Sequence, residues 1–524
     1  ERIATLPFLS ELSSAASNAC PFCHRLNVIF YNSYREKTWW QNSDLHLCFR
    51  IRYIWRGYRR SRQGEPTYSL ECLDTIVRHP GCAKDTVDVF KFTIGAWPGR
   101  CRDWLNIRRY PLDTTGVVSE RNITLMNKWI DDCAANHDRC KTRDRRSTVL
   151  PTRLLDIDTG TDVNHLRLVD NTEALSRNML GGKLKYATLS YCWGSSVSLK
   201  TTSASLATHK ERISVHAMPN VFQDAMFVVR KLGIRYLWID ALCIVQDNPA
   251  DWEQESTKMS DIFYNSFITA CAAASTGSDE SFLQRPTKPS FTVPFRSILK
   301  PDISGEYSIF LDPRPIMRIE ADLDFRSSRW NSRAWVWQEQ TMATRSLIFG
   351  KYMVQMRCQA CIQTEDGDHL WPEENLDSDL LDNQHWNYAV WDYSARDITF
   401  ASDKLRAIAG VARFISKAKE NAGRNTEYLA GIWLNDSFFD ELCWAIEKPK
   451  ASYKEMMAGF VDENNYCAPS WSWASRRDAV SKIAPSGYRK EVRLVCYRLS
   501  PAVSDPMVAV KPGSSITLRG KLKP

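Results

Sequence analysis

The chain has 524 residues, 44% hydrophobic and 25% charged, with a formal net charge of +8. That length exceeds one simple core and predicts two or three domains, and the ordinary globular composition excludes a disordered or low-complexity chain. No apolar run approaches the roughly 20 residues of a membrane span, and the basic clusters at Arg52–Arg62 and Arg139–Arg146 carry no nucleic-acid motif, so they read as solvated basic surface.

Nineteen Trp residues point to large aromatic cores. The sixteen cysteines are scattered, and Cys192, Cys243, Cys271 and Cys496 sit in apolar runs. This pattern predicts reduced, buried thiols in a cytoplasmic protein rather than a disulfide framework. No signal peptide is visible. The first residue is Glu1, not Met, and the strand-like Ser515–Arg519 has no cap, so more chain is expected at both ends.

The first region, residues 1–145, is read as α+β. It contains Cys20-Pro-Phe-Cys23 and, later, Cys133, His137 and Cys140. On a single helix the last three share a face. Cys20, Cys23, His137 and Cys140 therefore form a candidate structural zinc set, with Cys133 able to replace one of them. Thiolate and imidazole are soft, deprotonated donors that suit this ion. The competing reading is ordinary thiols packed beside a helix. A second pair, Cys358-Gln-Ala-Cys361, has no nearby His and reads as plain core.

The central region, residues 146–345, alternates strand and helix. Lys185–Ser190 reads as a strand ending in the polar loop Tyr191 to Ser196. Pro219 starts a helix that Gly233 stops, and Tyr236–Ile239 is a short buried strand ended by Asp240. Asn248-Pro249 then caps a helix with Trp252, Met259, Ile262 and Phe263 on one face. Glu255 falls inside that face, and its bland reading is a structural ion pair. Phe267–Ala274 reads as the next strand. This order predicts a parallel α/β sheet whose ligand crevice lies at the strands' carboxyl ends. Ser190–Ser195, Asp240 and the first turns of the Glu255 helix converge there.

These residues also carry a resemblance. Tyr186-Ala-Thr-Leu-Ser-Tyr-Cys-Trp-Gly194, Leu232–Asp247 with Met259 and Ile262–Tyr264, and Arg333-Ala-Trp-Val-Trp-Gln-Glu339 with Arg345 resemble, in order, three motifs of the fungal heterokaryon-incompatibility (HET) domain. Trp129–Cys140, Asp403–Gly410, Ala430–Trp433 and Ala468–Ser475 resemble the flanks of many such proteins. Trp337 departs from the smaller residue usual at its position, with a change in packing expected.

The resemblance implies nonself recognition between fungal strains, ending in programmed cell death. The HET domain is remotely similar to the TIR domain, and some TIR domains cleave NAD with a helix-borne glutamate. By that analogy NAD is a substrate rather than a cofactor, and Glu255 is the candidate catalytic carboxylate. Glu280 is the alternative by strand order, though it sits in a polar loop. Ser190, Tyr191, Trp193, Gly194, Ser195 and Asp240 are candidate substrate-binding residues. Tyr191 or Trp193 can stack on a base, and the Ser190–Ser195 loop can meet phosphate through backbone N–H groups. A self-assembled form and partner incompatibility proteins are expected, with no nucleic acid. The alternative function is a non-enzymatic signalling module that acts through assembly. Absence of GxGxxG and Walker A motifs argues against a dehydrogenase or P-loop ATPase. Residues 346–524 read as a mixed, partly β region with a helix at Asp403–Asn421, a strand-like Glu491–Tyr497, aromatic clusters at Trp371, Trp386 and Trp391, and core positions at Trp471 and Trp473.

Overall fold

The computed structural model describes residues 28, 48–58, 67–78, 87–113, 116–146, 149–158, 163–177, 184–195, 197–286, 290–312, 324–370, 383–424, 427–447, 452, 454, 466–482, 491–503 and 505–521. The chain divides into two compact units. The first comprises Glu1–Val117, Arg285–Asp322 and Gln363–His369. Its five-stranded antiparallel sheet runs in the order Cys48–Tyr58, Thr67–Arg78, Val87–Gly95, Ser304–Asp312, Ser290–Arg296.

The second unit comprises Val118–Gln284, Leu323–Ile362 and Leu370–Pro524. In chain order it carries helices α1 (Glu120–Asn136) and α2 (Asp138–Arg146), then strands β1 (Arg153–Asp156), β2 (His165–Asp170), β3 (Tyr186–Ser190) and β4 (Ile213–Ser214). Helix α3 (Asn220–Lys231), strand β5 (Tyr236–Trp238), helix α4 (Pro249–Asn265) and strand β6 (Ile268–Cys271) follow. Helix α5 (Ala334–Met342), strands β7 (Arg345–Phe349) and β8 (Val354–Cys358) and helix α6 (Asp403–Asn421) come after the excursion through the first unit.

These strands line up as β8–β7–β6–β3–β5–β1–β2–β4. The pairs β7·β6, β6·β3 and β3·β5 are parallel, while β8·β7, β5·β1, β1·β2 and β2·β4 are antiparallel. The expected parallel sheet is thus only its centre, and the whole is mixed. The reason is connection length: four residues separate β7 from β8 and eight separate β1 from β2, too few for a crossover, so each of these pairs is antiparallel. Every residue of β3, β5, β6 and β7 is buried, as strands covered on both faces must be.

From β3 the chain passes through α3 to β5 on one side of β3, then through α4 to β6 on the other side. The direction of winding reverses at β3 and β6, and their carboxyl ends flank a topological switch point.

Helix α4 forms as its sequence dictates. The Asn248 side chain accepts from the backbone N–H groups of Ala250 and Asp251, and Pro249 occupies the first turn. Met259, Ile262 and Phe263 are buried, with Glu255 among them. Helix α6 crosses closely at Gly410, where a Cβ would lie 2.2 Å from the Ser260 Cβ. Helix α1 starts at the Ser119 cap and ends at Asn136. His137 is extended (φ −97, ψ 98), so the single helix expected for Cys133, His137 and Cys140 is instead two helices hinged at the histidine.

The basic cluster on α2 also departs from expectation. Arg143 is fully buried, donates to the Met342 carbonyl, and lies over the rings of Tyr264 and Phe414. Of the other cluster, residues 59–62 lie outside the described residues. In the C-terminal part Trp386 and Trp473 are buried, Trp337 packs edge-on against Tyr393 at 5.5 Å, and Trp391 is exposed. Trp371 lies outside the described residues. Short two-stranded sheets complete this part, one of them pairing Val492–Arg498 with Ser515–Gly520. Among the described residues no helix is long and apolar enough to cross a membrane.

Candidate functional site

Three segments far apart in sequence meet at the carboxyl edge of the central strands. Ser190 ends β3 and is paired with Cys271, the last residue of β6. Its hydroxyl donates to the Glu339 carboxylate and accepts from the Trp330 indole N–H at 2.8 Å. Glu339 lies in the last turn of α5, which brings it to the switch point beside β3 and β6. Arg333, just before that helix, donates to the Tyr191 carbonyl. Asp240 follows β5; it accepts from the Trp193 indole at 2.8 Å and from the Ala241 backbone N–H at 2.7 Å.

The electrostatics are those of a buried carboxylate with a half-buried one nearby. Glu339 is 7% exposed, and burial pushes its pKa up to about 7. The Arg333 charge and the Ser190 hydrogen bond pull it down, while Asp240 pushes it further up. Burial also raises Asp240, against its hydrogen bond from Trp193. The Tyr191 hydroxyl is buried beside Asp240 without a hydrogen bond of good geometry, and burial holds it well above the usual phenol range.

Of the residues expected from sequence, the structure therefore brings Ser190, Tyr191, Trp193 and Asp240 together. Tyr191 meets Phe222 edge-on at 5.2 Å and so forms part of the core rather than an open platform for a base. Gly194 and Ser195 are exposed in the loop. Gly194 adopts φ +76, and a Cβ there would come within 3.1 Å of Gly277. Only glycine lets the two loops approach that closely.

Glu255 lies on the other side of β5, with no exposed surface. It accepts from the Thr152 backbone N–H at 3.2 Å and the Thr152 hydroxyl at 2.5 Å, and pairs with Lys258 at 3.0 Å. Among the described residues no hydrogen bond or ion pair joins it to the Ser190–Glu339 network. Next to it Arg153 donates to the Cys243 carbonyl and pairs with Asp251, which locks the start of α4 to the start of β1. Glu280 is exposed and accepts from Thr276 at 2.7 Å, a local loop contact.

A second cluster lies where α1 and α2 meet β8. Single donor atoms of Cys133, His137, Cys140 and Cys358 all lie within 4.8 Å of one another, and three of the four residues are buried. The set can hold a metal ion. His137 Nδ1 is 3.4 Å from Cys358 Sγ, and the Ala360 N–H points at that sulfur from 3.4 Å. Contacts from neighbouring thiols hold the Cys358 thiol well below its usual range, which gives it thiolate character. Cys361 lies 3.9 Å from Cys358 Sγ and 4.0 Å from His137 Nε2. The expectation that Cys358 has no histidine near it is corrected, because folding brings His137 to it. The expected ligands His137 and Cys140 are present, with Cys133 as the foreseen replacement. Cys20 and Cys23 lie outside the described residues.

Sequence reasoning missed Glu339, Arg333 and Trp330 as parts of the site. The first two lay within the third motif, but nothing in that helix's own pattern points to the end of β3.

A mixed α/β sheet with parallel central strands, whose polar groups from three separated motifs close over one carboxyl edge, defines the class of domain. Residues 186–339 match the family described as heterokaryon incompatibility protein (HET), so the chain carries a HET domain. The match supports a role related to heterokaryon incompatibility. No curated protein and no solved structure matches the chain.

Proposed function

We propose that this protein is a fungal nonself-recognition effector that promotes programmed cell death, and that its HET domain acts by cleaving the nicotinamide–ribose bond of NAD. One observation carries the reading: buried Glu339 meets Ser190 at the switch point of the sheet's parallel centre, with Arg333 on the Tyr191 carbonyl and half-buried Asp240 on Trp193 beside it. Sites of that kind bind ligands in α/β sheets, and perturbed carboxylates cluster at functional sites.

The chemistry follows from the bond. When the ribose carbon–nitrogen bond breaks, its electron pair leaves with nicotinamide, which departs neutral and needs no general acid. Positive charge develops on the ribose, and a carboxylate stabilises it. Water then adds to the ribose carbon and loses a proton. In this proposal the role expected of Glu255 passes to Glu339, because both Glu255 oxygens are already engaged by Thr152 and Lys258. Asp240 and Trp193 form the rim. Ionised Glu339 is the active form, so turnover rises as pH passes through about 7.

The test is nicotinamide release from NAD by purified protein, over a range of protein concentrations that includes self-associated states. Loss of release in Glu339→Gln, with Glu255→Gln retaining it, supports the assignment. No turnover of NAD or NADP at any concentration, together with cell killing that survives Glu339→Gln, overturns it. The Cys/His cluster supports a structural zinc in the same compact unit, outside the HET match, since thiolate and imidazole donors suit that ion.

A further inference from the structure

The place of the metal cluster in the fold carries more than its donor set. Helix α5 ends at Met342, and its last carbonyls need partners outside the helix. Two of those partners come from the elements that hold the cluster. Arg143, on α2 beside Cys140, donates to the Met342 carbonyl at 3.2 Å. Gln359, inside the Cys358–Cys361 turn, donates to the Ala343 carbonyl at 3.2 Å. Cys133 itself is 3.2 Å from the Nε of buried Arg345, the first residue of the strand that follows α5.

Glu339 sits in that last turn, and its side chain reaches Ser190. A shift at the end of α5 would therefore be felt where the two side chains meet.

We propose that zinc bound by Cys133, His137, Cys140 and Cys358 is a positioning centre for Glu339: it ties α1 and α2 to β8 and so holds Arg143 and Gln359 against the end of α5. This rests on the zinc reading above. Cys361 lies outside the ligand set, in contact with it. The metal does no chemistry on substrate. It fixes two donors that, without the cross-link, belong to segments about 200 residues apart in the chain (143 and 359).

The experiment measures zinc per chain by elemental analysis and amide hydrogen exchange across residues 334–345, in the full chain. Three variants are compared: Cys358→Ser, Cys361→Ser and Gln359→Ala. Wild type and Cys361→Ser are expected to hold about one zinc, and Cys358→Ser well under half. Exchange at the end of α5 is expected to rise about tenfold in Cys358→Ser, and by several-fold in Gln359→Ala with zinc retained, while β3 and β5 stay protected. Zinc-free wild type overturns the zinc reading itself. Zinc present, but lost from Cys361→Ser instead of Cys358→Ser, overturns the ligand assignment. Zinc present and lost as expected, with α5 exchange unchanged, overturns the positioning role alone. Should Cys358→Ser fail to fold, Gln359→Ala decides: unchanged exchange at the end of α5 refutes the positioning role.

Discussion

Replacing Glu339 by Gln removes an ionisable group from a buried site while keeping its shape and its ability to accept from Ser190. In the folded protein Glu339 has a pKa of about 7, against 4.5 for the free side chain. A carboxyl raised on folding is fully favourable to the native state below 4.5, where it is protonated in both states. That contribution is lost as pH rises through 7, because ionisation in the buried site costs more than in the unfolded chain. That displacement corresponds to roughly 3 kcal/mol, most of which falls between pH about 5 and about 8. Glu339→Gln does not titrate, so its stability relative to wild type should rise by that amount across the same interval. Urea unfolding followed by tryptophan fluorescence at the two pH values, in both proteins, separates the difference from titrating groups that do not interact with Glu339. A difference that stays constant within about 0.5 kcal/mol would refute the idea that Glu339 is buried and raised.

The same measurement reads its neighbour. Asp240→Asn removes a charge that pushes Glu339 up, so the pH midpoint of the Glu339-linked stability change should move below about 7; a midpoint that moves upward contradicts the proposed pairing. On the other side of β5, Lys258→Met leaves fully buried Glu255 with Thr152 alone and should cost about 1–3 kcal/mol. Adding Glu255→Gln to that variant should recover a good part of the loss in denaturant titrations, whereas simple additivity of the two changes would show that the pair is not coupled.

Helix α4 was legible because three independent signals coincide in it: Asn248 as cap, Pro249 in the first turn, and an apolar face at helical spacing. Strand β6 was read too long. The structure turns at Ala272, where the Ala273 N–H bonds back to the Cys271 carbonyl, and a run of alanines carries no turn signal. The site was half legible. Ser190 and Asp240 end buried strands, so the parallel-sheet rule pointed to them. Glu339 could not be placed that way, because its role depends on where α5 docks after the chain has visited another unit. Glu255 was singled out by periodicity, which reports burial but not the identity of the partner. Cys358 was hidden for a related reason: its histidine is more than 200 residues away, and only the sheet order brings them together.

The excursion of Arg285–Asp322 into the other unit has a practical consequence for dissecting the protein. The HET match, 186–339, contains β3, β5 and β6 but neither β1 nor β7. A fragment cut at those limits would leave the outer edges of β5 and β6 unpaired, both wholly buried in the folded protein, and it would carry two strands of a foreign sheet in its middle. Such open edges template aggregation. The smallest piece that covers both of those edges therefore starts before Arg153 and ends after Phe349, so the family match is shorter than the folding unit that contains it.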